Sequence, residues 1–303
     1  MKYEKPPLSI EDQIDLLIKR GLSVSDRPRA IQYLKHISYY RLRIYWAPFE
    51  IDLGFKDHQF KPWATFDNAL DLYLFDRKFR LLIFEAIERF EISLRTQIVN
   101  HLATSYGSHA YMDKLLFRKG YDGCLASTEE TISNSREIWI KHYKEKYKDP
   151  PLPPIWSVFE ILSFGQLVKW YQVIKARKNR NAIADAYKLD GKVLGSFLNN
   201  LNHVRNIAAH HGRLWNRNLT FQITFPKNPE EISACFNEQA ASKKKIYNTL
   251  VMLVHLLSTI SPKTSWPTRV NELVNTLHVV SPGEMGFPEE WKSLSIWSGN
   301  NGS

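Results

Sequence analysis

The chain has 303 residues, 44% of them hydrophobic and 24% charged, a balance that excludes a disordered chain and allows a sizeable buried core. Lys and Arg number 41 against 31 Asp and Glu, and a net charge of +10 favours a polyanionic partner, nucleic acid ahead of an acidic membrane surface. Cys124 and Cys235 stand far apart, so neither a disulfide framework nor a zinc site is expected, and the opening MKYEKPPLSIEDQ has no apolar leader.

The signals along the chain are helical. Ser9 followed by Asp12 reads as a helix cap, Ile14, Leu17 and Ile18 form an apolar stripe, and Gly21 is the stop. A second helix starts after Ser25, carries Ile31, Leu34 and Ile37, and runs into the aromatic-basic stretch ISYYRLRIYWAPF, which Pro48 ends. Residues 50–64 read as a loop with short strands. The longest helical signal follows, from about Phe66 to about Tyr106, as one bent helix or two. Its stripe of Ile83, Ile87, Phe90, Leu94 and Ile98 should face the core. Residues 107–131, with Gly107, Gly120 and Gly123, read as irregular.

A helix over 133–148 is then cut by Pro150, Pro151, Pro153 and Pro154. Further helices are expected near 155–178, 190–211, 243–260 and 267–278. FQITF at 221–225 alternates like a short strand, and the tail from Ser281 should lie over the surface. The stretch Ile246 to Ile260 is too short and too polar to span a bilayer. The expectation is an all-α chain, mainly α with at most a short strand or hairpin, forming one domain in a reducing cytoplasm, with no membrane association.

The chemistry concentrates in Asn199 to Arg213, NNLNHVRNIAAHHGR. Leu194, Leu198, Leu201 and Ala208 keep helical spacing, and Asn199, Asn202, His203, Asn206 and His210 form a polar face spanning roughly 100°. Amides and imidazoles without carboxylates can hold a phosphate or a sugar hydroxyl without repelling an anion. Arginine grips a phosphate with its planar fork, and imidazole exchanges protons near neutral pH. Together they suit RNA cleavage in which the 2′-hydroxyl is the nucleophile and no metal or other cofactor is needed. The bland alternative is that His210 and His211 complement the helix dipole ahead of a Gly212 cap. Arg205 and His210 lie about 140° apart on an ideal helix, so either the helix ends before His210 or two copies of the chain share one cleft.

Elsewhere, Glu88, Glu91 and Arg95 border the apolar face of the long helix. They read either as an ion-pair ladder or as a support that orients Arg205 or His210. Around Tyr39, Tyr40, Arg41, Arg43, Tyr45 and Trp46, the expectation is packing for Tyr40 and Trp46 and RNA contact for Arg41 and Arg43. KARKNR at 175–180 and Lys243 to Lys245 read as solvated helix ends that could add to a phosphate track.

Arg205-Asn206-Ile207-Ala208-Ala209-His210 resembles the R-x(4–6)-H signature of HEPN ribonucleases. The wider run RNIAAHHGRLWNR, with Trp215, Asn216 and Arg217, resembles the Abi-like (abortive infection) family. So do ISYYRLRIYWAPF, FDRKFRLLIFEAIERFEISLR at 75–95, PPIWSVFEILSFGQLVKWY at 153–171 and GFPEEW at 286–291. The resemblance implies a HEPN-like helical core over 65–280, an N-terminal extension over 1–64 and a tail over 281–303. It also implies a homodimer, in which two motifs face one cleft and cut RNA without metal in defence against phage. Some members work with a structured small RNA, and a non-catalytic protein holding such an RNA is the alternative. In this reading Arg205, His210, Asn206 and His211 are catalytic. His203 joins Glu88, Glu91 and Arg95 in support, and Arg41, Arg43, Arg213 and Arg217 bind RNA.

Overall fold

The computed structural model describes residues 2, 6–51 and 58–297. Among these the regular structure is helical, with only isolated β-bridges and no strand, as the all-α expectation holds. The chain forms two compact units. Unit 1 comprises residues up to 78 together with 276–280, and unit 2 comprises 79–275 and the residues from 281 on.

In unit 1, α1 (Ile10–Lys19) is capped by Ser9, whose hydroxyl accepts from the Asp12 backbone N–H at 3.1 Å. Ile14 and Leu17 point inward, but Ile18 is exposed. The helix closes with Gly21 at φ +91°, the Gly21 N–H on the Ile18 carbonyl and the Leu22 N–H on the Leu17 carbonyl. This is a Schellman end with glycine in its left-handed position. The second helix, α2 (Arg27–His36), starts after Ser25 as expected, with Asp26 as its cap. Extended backbone at Ile37 ends α2, and Ser38 caps a separate helix, α3 (Tyr39–Trp46), so the aromatic-basic stretch does not continue α2. The strands expected in 50–64 reduce to a single bridge, Glu50 to Phe60; residues 52–57 lie outside the described ones.

The longest helical signal is one continuous helix, α4 (Phe66–Tyr106). Thr65 and Asn68 cap it reciprocally, each side chain accepting the other's backbone N–H at 3.0 Å. Ile83, Ile87, Phe90, Leu94 and Ile98 are all buried, as their spacing predicts.

Unit 2 departs from expectation in four places. The stretch read as irregular holds α5 (Tyr121–Asn134): Gly120, at φ +105°, precedes the helix, and Gly123 lies inside its first turn. It is followed by α6 (Ile138–Lys146). The helix expected over 155–178 is two, α7 (Ile155–Glu160) and α8 (Phe164–Val173), and a further helix, α9 (Arg177–Asp185), follows them. Ser163 causes the break between α7 and α8 by forming a capping box with Gln166. The FQITF segment is not a strand, because α10 (Gly191–Ala209) takes its backbone groups. The Phe221 carbonyl accepts from Asn200 Nδ2 at 2.7 Å, and the Thr224 N–H donates to Ser196 Oγ at 2.9 Å.

After the short α11 (Glu230–Ser233) come α12 (Tyr247–Ile260) and α13 (Trp266–Asn275). The tail is not a surface strap. Met285, Phe287, Trp291 and Trp297 are buried, and Phe287 packs on Tyr247 with ring centroids 4.8 Å apart. Among the described residues no helix is long and apolar enough to cross a membrane.

Candidate active site

The candidate site is built on α10. Asp190 starts the helix by accepting the Lys192 N–H at 2.7 Å, and Leu194, Leu198, Leu201, Val204 and Ala208 bury one side. Regular helix ends at Ala209 and His210 leaves helical angles (φ −87°, ψ 18°), but its N–H still reaches the Asn206 carbonyl at 3.0 Å, which keeps its Cα in helical register. The 140° divergence of Arg205 and His210 therefore persists, and no hydrogen bond joins them.

The end of α10 repeats the hydrogen-bond pattern of α1. The His211 N–H meets the Ala208 carbonyl at 3.0 Å, and the Gly212 N–H meets the Ile207 carbonyl at 2.7 Å. Here the left-handed residue is His211, at φ +57°, where a non-glycine residue is strained by ~1–2 kcal/mol. Gly212 is needed for closeness instead, since a Cβ there would stand 3.0 Å from the Ile207 carbonyl oxygen. His211 is thus a helix cap, and His210 is the imidazole presented on the polar face.

Asn206 and His210 are exposed and Arg205 is half-buried. Arg205 Nη1 donates a long bond, 3.5 Å, to Asn206 Oδ1, and Arg205 forms no ion pair among the described residues. The His210 ring has no hydrogen-bond partner among the described residues. His203 packs edge-on against Phe221, centroids 5.6 Å apart; its burial and then the nearby charge of Arg217 hold its pKa below the ordinary imidazole value. Trp215, fully buried, anchors the loop after α10, and Arg213 stacks over its ring. Asn216 links that loop onward, accepting from Lys245 Nζ and donating to Glu284 Oε2. Lys245, whose pKa is lowered by burial and then by Arg213, belongs to this basic cluster. Its place in a run of three lysines hid that.

The other predicted residues are placed differently. Glu88 is exposed and has no ion pair among the described residues, while Arg95 bonds Glu91 at 3.0 Å and the Leu162 carbonyl at 3.1 Å. That pair fastens the α7–α8 break, and neither glutamate bonds Arg205 or His210. In unit 1, Trp46 is buried as expected, but Tyr40 is 81% exposed. Arg43 is held by the buried Glu50, with His58 Nδ1 3.1 Å away, which makes it a structural partner. Arg41 is half-buried. Among the described residues no group of three or more His, Cys, Asp or Glu side chains is placed to hold a metal ion.

The family model for Abi-like proteins matches residues 32–216 of this chain. The chain belongs to the Abi-like protein family. The matched region contains Arg205 to His210, Trp215 and Asn216, and the aromatic-basic helix α3; GFPEEW lies outside it. Membership supports a role in abortive infection. No curated protein and no solved structure matches this Abi-like chain.

Proposed function

We propose that this Abi-like protein is a HEPN-type endoribonuclease that needs no metal and acts in abortive infection by cutting RNA through 2′-hydroxyl attack. One observation carries the reading. At the end of α10 an arginine and a histidine ring that have, among the described residues, no carboxylate partner and no hydrogen-bond partner respectively stand beside an exposed amide. Arg205 stabilises the charge that builds on the phosphate in the transition state, and His210 moves the proton as general acid or base. Asn206 orients the phosphate. His211 serves as the cap.

Because one chain aims Arg205 and His210 in different directions, the complete site takes a second copy through an isologous interface. The same divergence favours a second reading, in which the chain holds a small RNA without cutting it. Two measurements separate them. The catalytic reading predicts a solution mass of twice the 35.4 kDa chain and products ending in 2′,3′-cyclic phosphate. An RNA with a single deoxyribose at the scissile position should resist cutting there. Equal cleavage of that RNA sinks the mechanism, and a monomer that retains activity sinks the shared cleft.

In cells, expression of the wild type should arrest bacterial growth, and folded Arg205→Ala or His210→Ala should not. Arrest by both variants would make these residues structural and move the RNA-holding reading into first place.

A further inference from the structure

The exposed polar residues of α10 form a line. On an ideal helix, Lys192, Asn199, Asn206 and His210 fall within an arc of about 40°, over a length of about 27 Å, and all four are exposed. Walls stand on both sides of this line. On one side Phe221 and Thr224 are fastened to Asn200 and Ser196. On the other, α8 approaches: Gln172 Nε2 donates to the Gly195 carbonyl at 2.7 Å, and Gly165 lies against Asn202.

The groove opens at the start of α10 into a cleft of about 540 Å³ whose lining includes Arg118, Arg177, Arg180 and Lys192 and no carboxylate. Arg118 is braced by the Gln172 carbonyl, and Arg180 by the carbonyls of Ile174 and Lys175. Bonds to carbonyls orient a guanidinium without neutralising it, so both keep their charge and spare donors. The acidic neighbour is Asp190, which is turned to the Lys192 N–H and Arg177. Four cations against one carboxylate leave this end of the groove positive. Its position relative to the other end is fixed by a single helix.

We infer that this groove binds the backbone of one RNA strand, with phosphates held in the cleft of Arg118, Arg177, Arg180 and Lys192 about 27 Å from His210. The inference rests on the reading of the Arg205–His210 end as the cutting site and adds where the rest of the strand lies. Amides at Asn199 and Asn206 suit the middle of such a track, since they bond sugar and phosphate without repelling charge. The cleft would fix strand position without reading sequence.

The test uses the full chain and a fluorescent 2′-O-methyl RNA of about 12 nucleotides, within the range single-strand-binding folds cover. This probe lacks the nucleophile, so binding is read apart from cleavage. Arg177→Ala with Lys192→Ala removes two phosphate contacts. The salt slope should fall by about 1.4, and affinity at 0.1 M salt should drop roughly 25-fold. The control pair Lys141→Ala with Lys263→Ala carries the same charge change on exposed residues elsewhere and should cost little. Asn199→Asp, which keeps all four cations and puts a carboxylate into the lining of the cleft, should also weaken binding.

Equal losses in the cleft pair and the control pair overturn the inference. So does unchanged RNA affinity accompanied by cleft-dependent binding of inorganic phosphate, which would assign the cleft to a free anion. If RNA binding depends on the cleft while cleavage ignores Arg205 and His210, the groove stands and the catalytic reading fails. The converse result fails the groove alone.

Discussion

Asn200 and Asn199 are neighbours in sequence, yet they predict opposite outcomes when changed to alanine. Asn200 is 2% exposed. Its Nδ2 donates to the Phe221 carbonyl at 2.7 Å, and its Oδ1 accepts from Thr249 Oγ1 at 2.9 Å, so one amide ties α10 to α12 and to the loop beside the groove. In Asn200→Ala the Thr249 hydroxyl, fully buried, loses this acceptor, a cost of about 1–3 kcal/mol; the Phe221 carbonyl, closer to solvent, costs about 1 kcal/mol. A total near 3 kcal/mol corresponds to a drop in Tm of roughly 6–12 °C. Asn200→Asp should be at least as damaging, because it sets a carboxyl oxygen against the Phe221 carbonyl. Asn199 is exposed, and Asn199→Ala should stay within about 0.5 kcal/mol of wild type. Scanning calorimetry of the three variants checks this. If Asn200→Ala melts where Asn199→Ala does, the buried amide does not hold the loop.

Two further predictions concern histidines. His211→Gly should keep both stability and any RNA cleavage, because glycine relieves about 1–2 kcal/mol of left-handed strain, offset by about 0.5–1 kcal/mol of chain entropy; His211→Val should lose stability, and loss of cleavage in a stable His211→Gly would give the ring a chemical role. His255, which bonds the Tyr187 carbonyl at 2.8 Å, and His203 are both held below the ordinary imidazole pKa of 6.5 chiefly by burial. Below that value the unfolded chain binds protons that the folded chain does not, so stability should be full above about pH 6.5 and fall as pH drops. His255→Gln should shrink the loss of Tm between about pH 7.5 and 5.5, and an unchanged loss would contradict the assignment.

The sequence is most legible where one periodic signal dominates. The apolar stripe of α4 and the helix carrying Arg205 both follow from spacing alone, because a helix that buries one face must repeat its apolar residues. It is least legible where a side chain from elsewhere decides. FQITF alternates like a strand, but Asn200 and Ser196 take its backbone groups. Gly123 looks like a breaker but is tolerated inside α5. Tyr40 and Arg43 exchange their expected places because Glu50, seven residues after Arg43, is buried and needs a cation; nothing local signals that pairing. The arginines of 175–180 read as solvated ends because Arg118, which completes their cleft, lies far away in sequence.

RNA cleavage in EDTA tests the central claim most directly. Wild type should cut a structured RNA in the presence of the chelator, and Arg205→Ala and His210→Ala, with unchanged Tm, should lower the rate by the ~10²–10⁴-fold that a positioned proton-transfer group supplies. Full activity in folded His210→Ala, or activity that EDTA abolishes and added metal restores, would contradict it.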